Sequence, residues 1–244
     1  MGRNNFLYFL TRRIAQIVFS LFYQVTIERE IGSPLSHPSI ILPKHQFWTD
    51  IPLVSLSFRE GLYFLAKKEL FVLPGIRAFL LSLGGIPVDR GQSIRTLRSF
   101  KHLFALLKKG EKVVVFPEGT YVRDSVGMGK SRLIEMILEN QPRFEHPILF
   151  IPVGIHYGRR TGWRRPVKIR IGRPLLGTKG MDASLLTSRA MEEIRRLSAL
   201  PKTEPSTSAK QEVTVSRKAL TGSEPHCELE DFRPDSIRDP LITH

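Results

Sequence analysis

The feature that most constrains this chain is an alternation. From Val25 onward, short runs rich in β-branched and aromatic residues are separated by segments with helical periodicity. Runs 39–42, 61–65, 86–88, 112–116, 148–153 and 167–171 read as strands. The stretch 94–109 reads as a helix with Leu97, Phe100, Phe104 and Leu107 inward, and Gly110 follows the Lys108-Lys109 pair as its C-cap. Such alternation predicts an α/β layer architecture, a mixed sheet flanked by helices. With 41% apolar and 25% charged residues in 244, one core is expected. Residues 29–200 are expected to form that domain, residues 1–28 an N-terminal helix, and residues 201–244, rich in Ser, Thr, Pro and Glu, a disordered tail. No internal repeat interrupts the pattern.

The N-terminal segment is apolar but broken. Its longest uncharged run, residues 14–27, falls short of the roughly 18 residues a membrane span requires. Arg12 and Arg13 split the apolar region, and no small-residue cleavage site follows, which argues against a signal peptide. Phe6 stands where N-myristoylation wants Ser or Thr. Phe6, Leu10, Ile14, Ile17, Leu21 and Val25 recur at helical spacing, widened by Tyr8, Phe9, Phe19, Phe22 and Tyr23, while Arg12, Gln16, Ser20 and Gln24 form a polar stripe. Two readings follow: an amphipathic helix lying in a membrane interface, or a terminal helix docked on the protein's own core.

Charge is unevenly distributed. After Leu200 six Lys and Arg face eight Asp and Glu, so the remaining thirty-one basic and fifteen acidic residues give residues 1–200 a net +16. That field suits an anionic lipid surface, nucleic acid, phosphorylated small molecules or an acidic carrier protein. The lone Cys227 rules out an intramolecular disulfide and a cysteine-cluster zinc site, and a reducing compartment is expected.

Four blocks carry chemical character. In Lys44-His45-Gln46-Phe47-Trp48-Thr49-Asp50 a histidine stands near a carboxylate, the pairing that makes a general base. Spacing alone does not establish the pair, since His226 and Asp231 in the polar tail repeat it. On a regular helix five residues correspond to about 140°, so the two side chains meet only if the chain turns between them. Pro43 and Pro52 allow such a turn, one closing a strand and the other tolerated in a helix's first turn. The second block, Gly84-Gly85-Ile86-Pro87-Val88-Asp89-Arg90-Gly91, ends a short strand on an arginine able to fork onto a phosphate. In the third, the run Val113-Val114-Val115-Phe116 leads directly into the turn Pro117-Glu118-Gly119-Thr120. In the fourth, Pro152 and Gly154 close a buried-looking run.

In this order and at these separations, the four blocks closely resemble the glycerolipid (lysophospholipid) acyltransferase family over residues 40–175. His45 and Asp50 match its His-x4-Asp block, Gly85 to Arg90 its Gly-x-x-x-Asp-Arg-like block, Phe116 to Thr120 its Phe-Pro-Glu-Gly-Thr block, and Ile151 to Val153 its Val-Pro-Val-like block. Lys67-Lys68-Glu69-Leu70 is similar to its Lys-x-Glu-Leu segment. One position departs: the family usually has arginine after Glu-Gly-Thr, whereas Tyr121 stands here and Arg123 comes two residues later.

The resemblance implies transfer of an acyl chain from a thioester to a lysophospholipid hydroxyl, 1-acylglycerol 3-phosphate giving phosphatidic acid, or the same transfer to another lysolipid. It further implies that His45 is the base, Asp50 its orienting partner, Arg90 and Lys68 the phosphate ligands, and Glu118 a contact to glycerol. Backbone N–H groups near Gly119 and Thr120 would receive the oxyanion. No protein nucleophile, metal or bound cofactor is required; the co-substrate is acyl-coenzyme A or acyl carrier protein. The expected partners are membrane lipid, an anionic membrane surface and the carrier protein, not nucleic acid, and the expected location is the cytoplasmic face of a membrane, peripheral or monotopic. A noncatalytic anionic-lipid-binding protein on the same fold is the rival reading. The segment Gly127-Met128-Gly129-Lys130-Ser131 imitates a nucleotide-binding loop, but Asp124 occupies the position of its opening glycine. Arg95, Arg98 and Lys101 read equally as a nucleic-acid patch or as the solvated face of a helix.

Overall fold

The computed structural model describes residues 3–30, 37–88, 94–160 and 162–202. Its strands are β1 Tyr23–Arg29, β2 Ser39–Pro43, β3 Leu62–Lys67, β4 Gly85–Val88, β5 Lys112–Val114, β6 Leu149–Tyr157, β7 Arg165–Ile171 and β8 Leu175–Leu176. Between and around them run α1 Asn5–Phe22, α2 Asp50–Ser57, α3 Pro74–Ser82, α4 Ile94–Lys108, α5 Arg132–Glu139 and α6 Ala183–Ser198, with 3-10 turns at Lys68–Phe71 and Gln141–Arg143. All the strands join one mixed sheet in the order β1-β7-β6-β2-β5-β3-β4, with β8 against β6. Strands β6, β2, β5, β3 and β4 are parallel, β7 is antiparallel to β6, and β1 is parallel to β7. The C-terminal ends of five parallel strands therefore share one edge, the place where open α/β sheets bind ligands.

Strand β2 is buried along its whole length. Its alternate residues feed two cores, as the pleat requires. Ile40 and Leu42 join a cluster with Leu103 and Leu107 of α4, Ile137 of α5 and Ile194 of α6. Ile41 joins another with Phe19 of α1 and Leu53 and Val54 of α2. Helices thus cover both faces, as the alternation predicts. In α4, Phe100, Phe104 and Leu107 pack inward and Gly110 takes φ +75° after the helix, whereas the side chain of Leu97 lies outside the described residues.

All the expected strands form with shifted bounds, and in β5 and β6 the shift has a visible cause. Pairing in β5 stops at Val114, with one further bond from the Val115 N–H to the Ile41 carbonyl at 2.9 Å, because Pro117 ahead offers no donor. Strand β6 runs on to Tyr157, so Gly154 does not close it. A Cβ at Gly154 would stand 2.3 Å from the Leu197 carbonyl carbon, so this glycine admits the backbone of α6 against the sheet. The expected tail lies outside the described residues from position 203 onward.

Helix α1 forms as its periodicity predicts but is seated opposite to a core-docked amphipathic helix. It stops at Phe22, because residues 23–29 pair in register with β7 instead. The side facing the protein carries Tyr8, Arg12, Ala15 and Phe19, whereas Gln16 and Ser20 of the expected polar stripe are exposed. The Tyr8 hydroxyl pairs with Ser55 Oγ at 2.8 Å and accepts the Leu62 N–H at 3.1 Å. Arg12 donates to the carbonyls of Phe58, Arg59 and Leu56, satisfying acceptors at the C-terminus of α2. Phe19 is the main apolar anchor. The stripe Phe6, Leu10, Ile14, Ile17 and Leu21 points outward, with Phe6 79% and Ile17 65% exposed. Helix α3 has no buried residue, and Val72, Leu73, Ile76 and Phe79 around it are also exposed. The two helices touch where the Asn4 N–H meets the Ser82 carbonyl at 2.9 Å. No helix among the described residues is long and apolar enough to cross a membrane.

Candidate active site

The loop between β2 and α2 makes the turn that the five-residue spacing demands. The Lys44 N–H continues the sheet to the Val153 carbonyl at 2.9 Å, and the chain then folds back as the Asp50 N–H bonds the Phe47 carbonyl at 3.1 Å. Asp50 becomes the first residue of α2, where the helix N-terminus favours a carboxylate. Its Oδ2 accepts from the Gln46 N–H at 2.5 Å, the Phe47 N–H at 2.7 Å and His45 Nδ1 at 3.1 Å. Its Oδ1 accepts the Tyr157 hydroxyl at 2.6 Å. Asp50 is wholly buried, and every oxygen has a donor. With Nδ1 donating, the imidazole carries its lone pair on Nε2, which suits a base. The ring stacks on Phe116, centroids 3.8 Å apart, and lies 4.3 Å from the Tyr121 ring.

A second buried pair locks this loop to the one after β5. Lys44 Nζ donates to both Glu118 oxygens at 2.8 Å and to the Val122 carbonyl at 2.7 Å. Glu118 also accepts the His45 N–H at 3.0 Å and the Gly127 N–H at 2.8 Å, so its carboxylate takes four contacts from three donor groups. The Val122 N–H donates to the His45 carbonyl at 2.9 Å, and Gln46 bridges the Ile155 carbonyl and the Asp124 N–H. Burial pushes the Lys44 ammonium below its ordinary value, while Glu118 pulls it back. His45 is therefore held from its backbone as well as from its ring.

Of the remaining sequence-predicted residues, Gly119, Thr120 and Lys68 lie at the same edge. Gly119 adopts φ +69°, which a glycine takes without strain, and its N–H closes the turn onto the Phe116 carbonyl at 3.0 Å. Thr120 is exposed beside it, and among the described residues nothing accepts its N–H. Lys68 follows the end of β3, exposed, and two strand spacings separate β3 from β2, about 10 Å. Arg90 lies outside the described residues; β4 ends at Val88 on this edge. The Arg123 guanidinium lies 5.2 Å from the Phe47 ring centroid, and that of Arg165 lies 5.9 Å from the same ring. Among the described residues no three His, Cys, Asp or Glu side chains group to hold a metal ion.

The acyltransferase family model matches residues 24–156, more than half of the chain. The chain belongs to the acyltransferase family. It is 32% identical over 123 residues to a chloroplastic 1-acyl-sn-glycerol-3-phosphate acyltransferase of Arabidopsis thaliana, an alignment covering 50% of this chain and 34% of that protein. This chain thus spans about a third of the plant relative's length. It is 26% identical over 164 residues to the 1-acyl-sn-glycerol-3-phosphate acyltransferase of Bacillus subtilis, covering 66% of this chain and 78% of the other. The crystal structure of the 1-acyl-sn-glycerophosphate (LPA) acyltransferase PlsC from Thermotoga maritima aligns with a TM-score of 0.57 at 25% identity, over 80% of this chain and 81% of that one.

Within this acyltransferase domain, sequence reasoning brought His45, Asp50 and Glu118 to one site but assigned no part to Lys44, Gln46, Thr49 or Tyr157. Lys44 offered a signal, a lysine inside a strand-to-turn junction too apolar to leave it in water. Tyr157 offered none, since it comes 107 residues after Asp50 and one residue past the family match.

Proposed function

We propose that this chain is an O-acyltransferase that moves a fatty acyl group from a thioester to the free hydroxyl of a lysophospholipid, with 1-acylglycerol 3-phosphate as acceptor and phosphatidic acid as product. The observation that carries the reading is the His45 Nδ1 to Asp50 Oδ2 contact at 3.1 Å, on the ligand-binding edge of a family domain. Nε2 removes the acceptor's hydroxyl proton as its oxygen attacks the thioester carbonyl, and Asp50 balances the imidazolium that forms. The tetrahedral oxyanion takes the Thr120 N–H as a donor. Collapse breaks the carbon–sulfur bond and the proton passes from the imidazolium to the departing thiolate, leaving His45 as it began. Arg90 and Lys68 hold the acceptor phosphate, joined by Arg123 in place of the arginine that Tyr121 displaces. Glu118 shapes the glycerol subsite through the loop it fastens.

The acceptor is a membrane lipid, and the outward apolar stripe of α1 supports a peripheral or monotopic location at a cytoplasmic membrane face. Trp48 of the catalytic loop, 67% exposed, lies 6.3 Å from the Phe19 ring, so the apolar surface leads from α1 to the site. The donor is acyl-coenzyme A or acyl carrier protein; the +16 of residues 1–200 suits either, as well as the anionic bilayer. A screen crossing both donors with several lysolipids, read by mass spectrometry, tests the reading. Transfer to 1-acylglycerol 3-phosphate that disappears in His45→Ala is the expected result; absence of thioester turnover with every pair leaves a lipid-binding protein instead.

A further inference from the structure

Asp50 is held from two sides, and only one belongs to the family's His-x4-Asp block. Its Oδ2 is filled by that block's own backbone and by His45, whereas its Oδ1 receives the Tyr157 hydroxyl at 2.6 Å, from the last residue of β6. The phenol in turn meets Thr49 Oγ1 at 2.8 Å. Because Tyr157 gives its single proton to the carboxylate, Thr49 must be the donor in that second contact. A continuous chain results: the Thr49 hydroxyl to the Tyr157 oxygen, the Tyr157 hydroxyl to Asp50 Oδ1, and His45 Nδ1–H to Asp50 Oδ2. Burial first, and the Asp50 charge second, hold the phenol proton far above its ordinary range, so Tyr157 remains a donor at all working pH values.

The ring has its own fixings. It meets Phe47 edge-on with centroids 4.9 Å apart, Tyr23 of β1 at 6.4 Å, and the Arg165 guanidinium of β7 at 5.1 Å. Rigid neighbours on three elements thus set the direction from which the hydroxyl reaches Asp50.

We propose that Tyr157 is a positioning residue of the acyl transfer: its hydroxyl fixes the plane of the Asp50 carboxylate and, through it, the aim of the His45 imidazole at the acceptor hydroxyl. The Tyr157 hydroxyl bonds Asp50 and Thr49, so it reaches His45 through the carboxylate. Its effect belongs to the step in which His45 takes the proton, so it enters kcat and leaves acceptor binding alone. A charge-assisted hydrogen bond to a buried carboxylate is worth enough to change a rate about tenfold or more when lost.

The inference rests on the His45 and Asp50 reading of the preceding subsection, and its test separates the two. Tyr157→Phe keeps the ring, hence the packing against Phe47, Tyr23 and Arg165, and removes only the hydroxyl. We expect kcat to fall about tenfold with acceptor KM changed less than about twofold. Thr49→Val, which removes the donor behind the phenol, should lower kcat in the same way by less, with acceptor KM again nearly unchanged, and it carries the test alone if Tyr157→Phe does not fold. In an Asp50→Asn background the Tyr157→Phe change should add almost nothing, since its effect runs through the carboxylate. Unchanged kcat in Tyr157→Phe, a loss that appears in acceptor KM instead, or a full additional loss in the Asp50→Asn background overturns the assignment of Tyr157 while His45→Ala remains inactive. Substantial activity in His45→Ala overturns the underlying reading instead.

Discussion

The catalytic edge and the outward face of α1 invert the usual rule of burial in opposite ways. At the edge, Lys44, His45, Asp50 and Glu118 are buried, each with partners within hydrogen-bond distance. On α1, a regular apolar stripe is left in the open while Tyr8, Arg12 and Phe19 make the contacts with the protein. Buried charge is costly unless paired, and an exposed apolar stripe signals a surface meant for something else to cover. The first inversion buys geometry, because a histidine fixed at ring and backbone has one direction in which to act. The second leaves an adhesive surface turned outward, because Tyr8, Arg12 and Phe19 fix the opposite edge of the helix to the protein.

The sharpest way to break the comparison is at the edge. His45→Ala should cut turnover by roughly 10²- to 10⁴-fold while leaving the unfolding transition nearly in place, as initial rates below saturation and thermal melting will report. Asp50→Asn should lose activity in the same direction, because the buried carboxylate that orients the ring is gone; near-normal turnover in either variant would sink the pair. Lys44→Met has a different signature. It leaves the Glu118 carboxylate buried without its cation, so stability should fall by about 3–5 kcal/mol in denaturant titration. A loss of activity with stability intact would mean that Lys44 acts on substrate and does not fasten the loop.

The apolar face gives smaller, separable effects. Replacing Phe6, Ile14 and Ile17 together by Ser should release the protein from anionic vesicles in a flotation assay and slow long-chain lysolipid turnover several-fold more than that of a short-chain soluble analogue. The unfolding midpoint should hardly move, since these positions are mostly exposed and belong to neither core cluster among the described residues. Removal of residues 1–25 is a poorer probe, because it also takes Tyr8, Arg12 and Phe19 out of the domain. Retained vesicle binding in the triple variant would move the anchor to the exposed side chains around α3. The smallest effect expected is that of Arg123→Ala, a few-fold rise in acceptor KM with donor KM unchanged; equal changes in both would remove Arg123 from the acceptor phosphate.

Much of the fold was legible because its signals are local. Alternating β-rich and helical runs predicted an α/β sheet, and the expected strands fall within a few residues of those observed. Errors came where a neighbour decides the outcome. The run after Val114 has a strand's composition but meets Pro117. Gly154 looks like a terminator but serves the approach of α6 in mid-strand. The last turn expected of α1 became β1, because β7 offered residues 23–29 a ladder that a helix would forfeit.

At the site, the amino-acid sequence by itself determined that a histidine and an aspartate stand five residues apart between a strand and a helix, with prolines placed to permit a turn. It also determined the apolar period of α1, since period 3.6 needs only the order of residues. Which way that helix faces was decided by tertiary structure, because Tyr8 and Arg12 found partners on α2 and its flanks that no local pattern contains. The same holds for the lock of Lys44 on Glu118 and for Tyr157 on Asp50. These contacts span 74 and 107 residues of sequence, and a hydrogen bond of under 3 Å between such distant positions exists only once the parallel strands have brought their C-terminal ends to one edge.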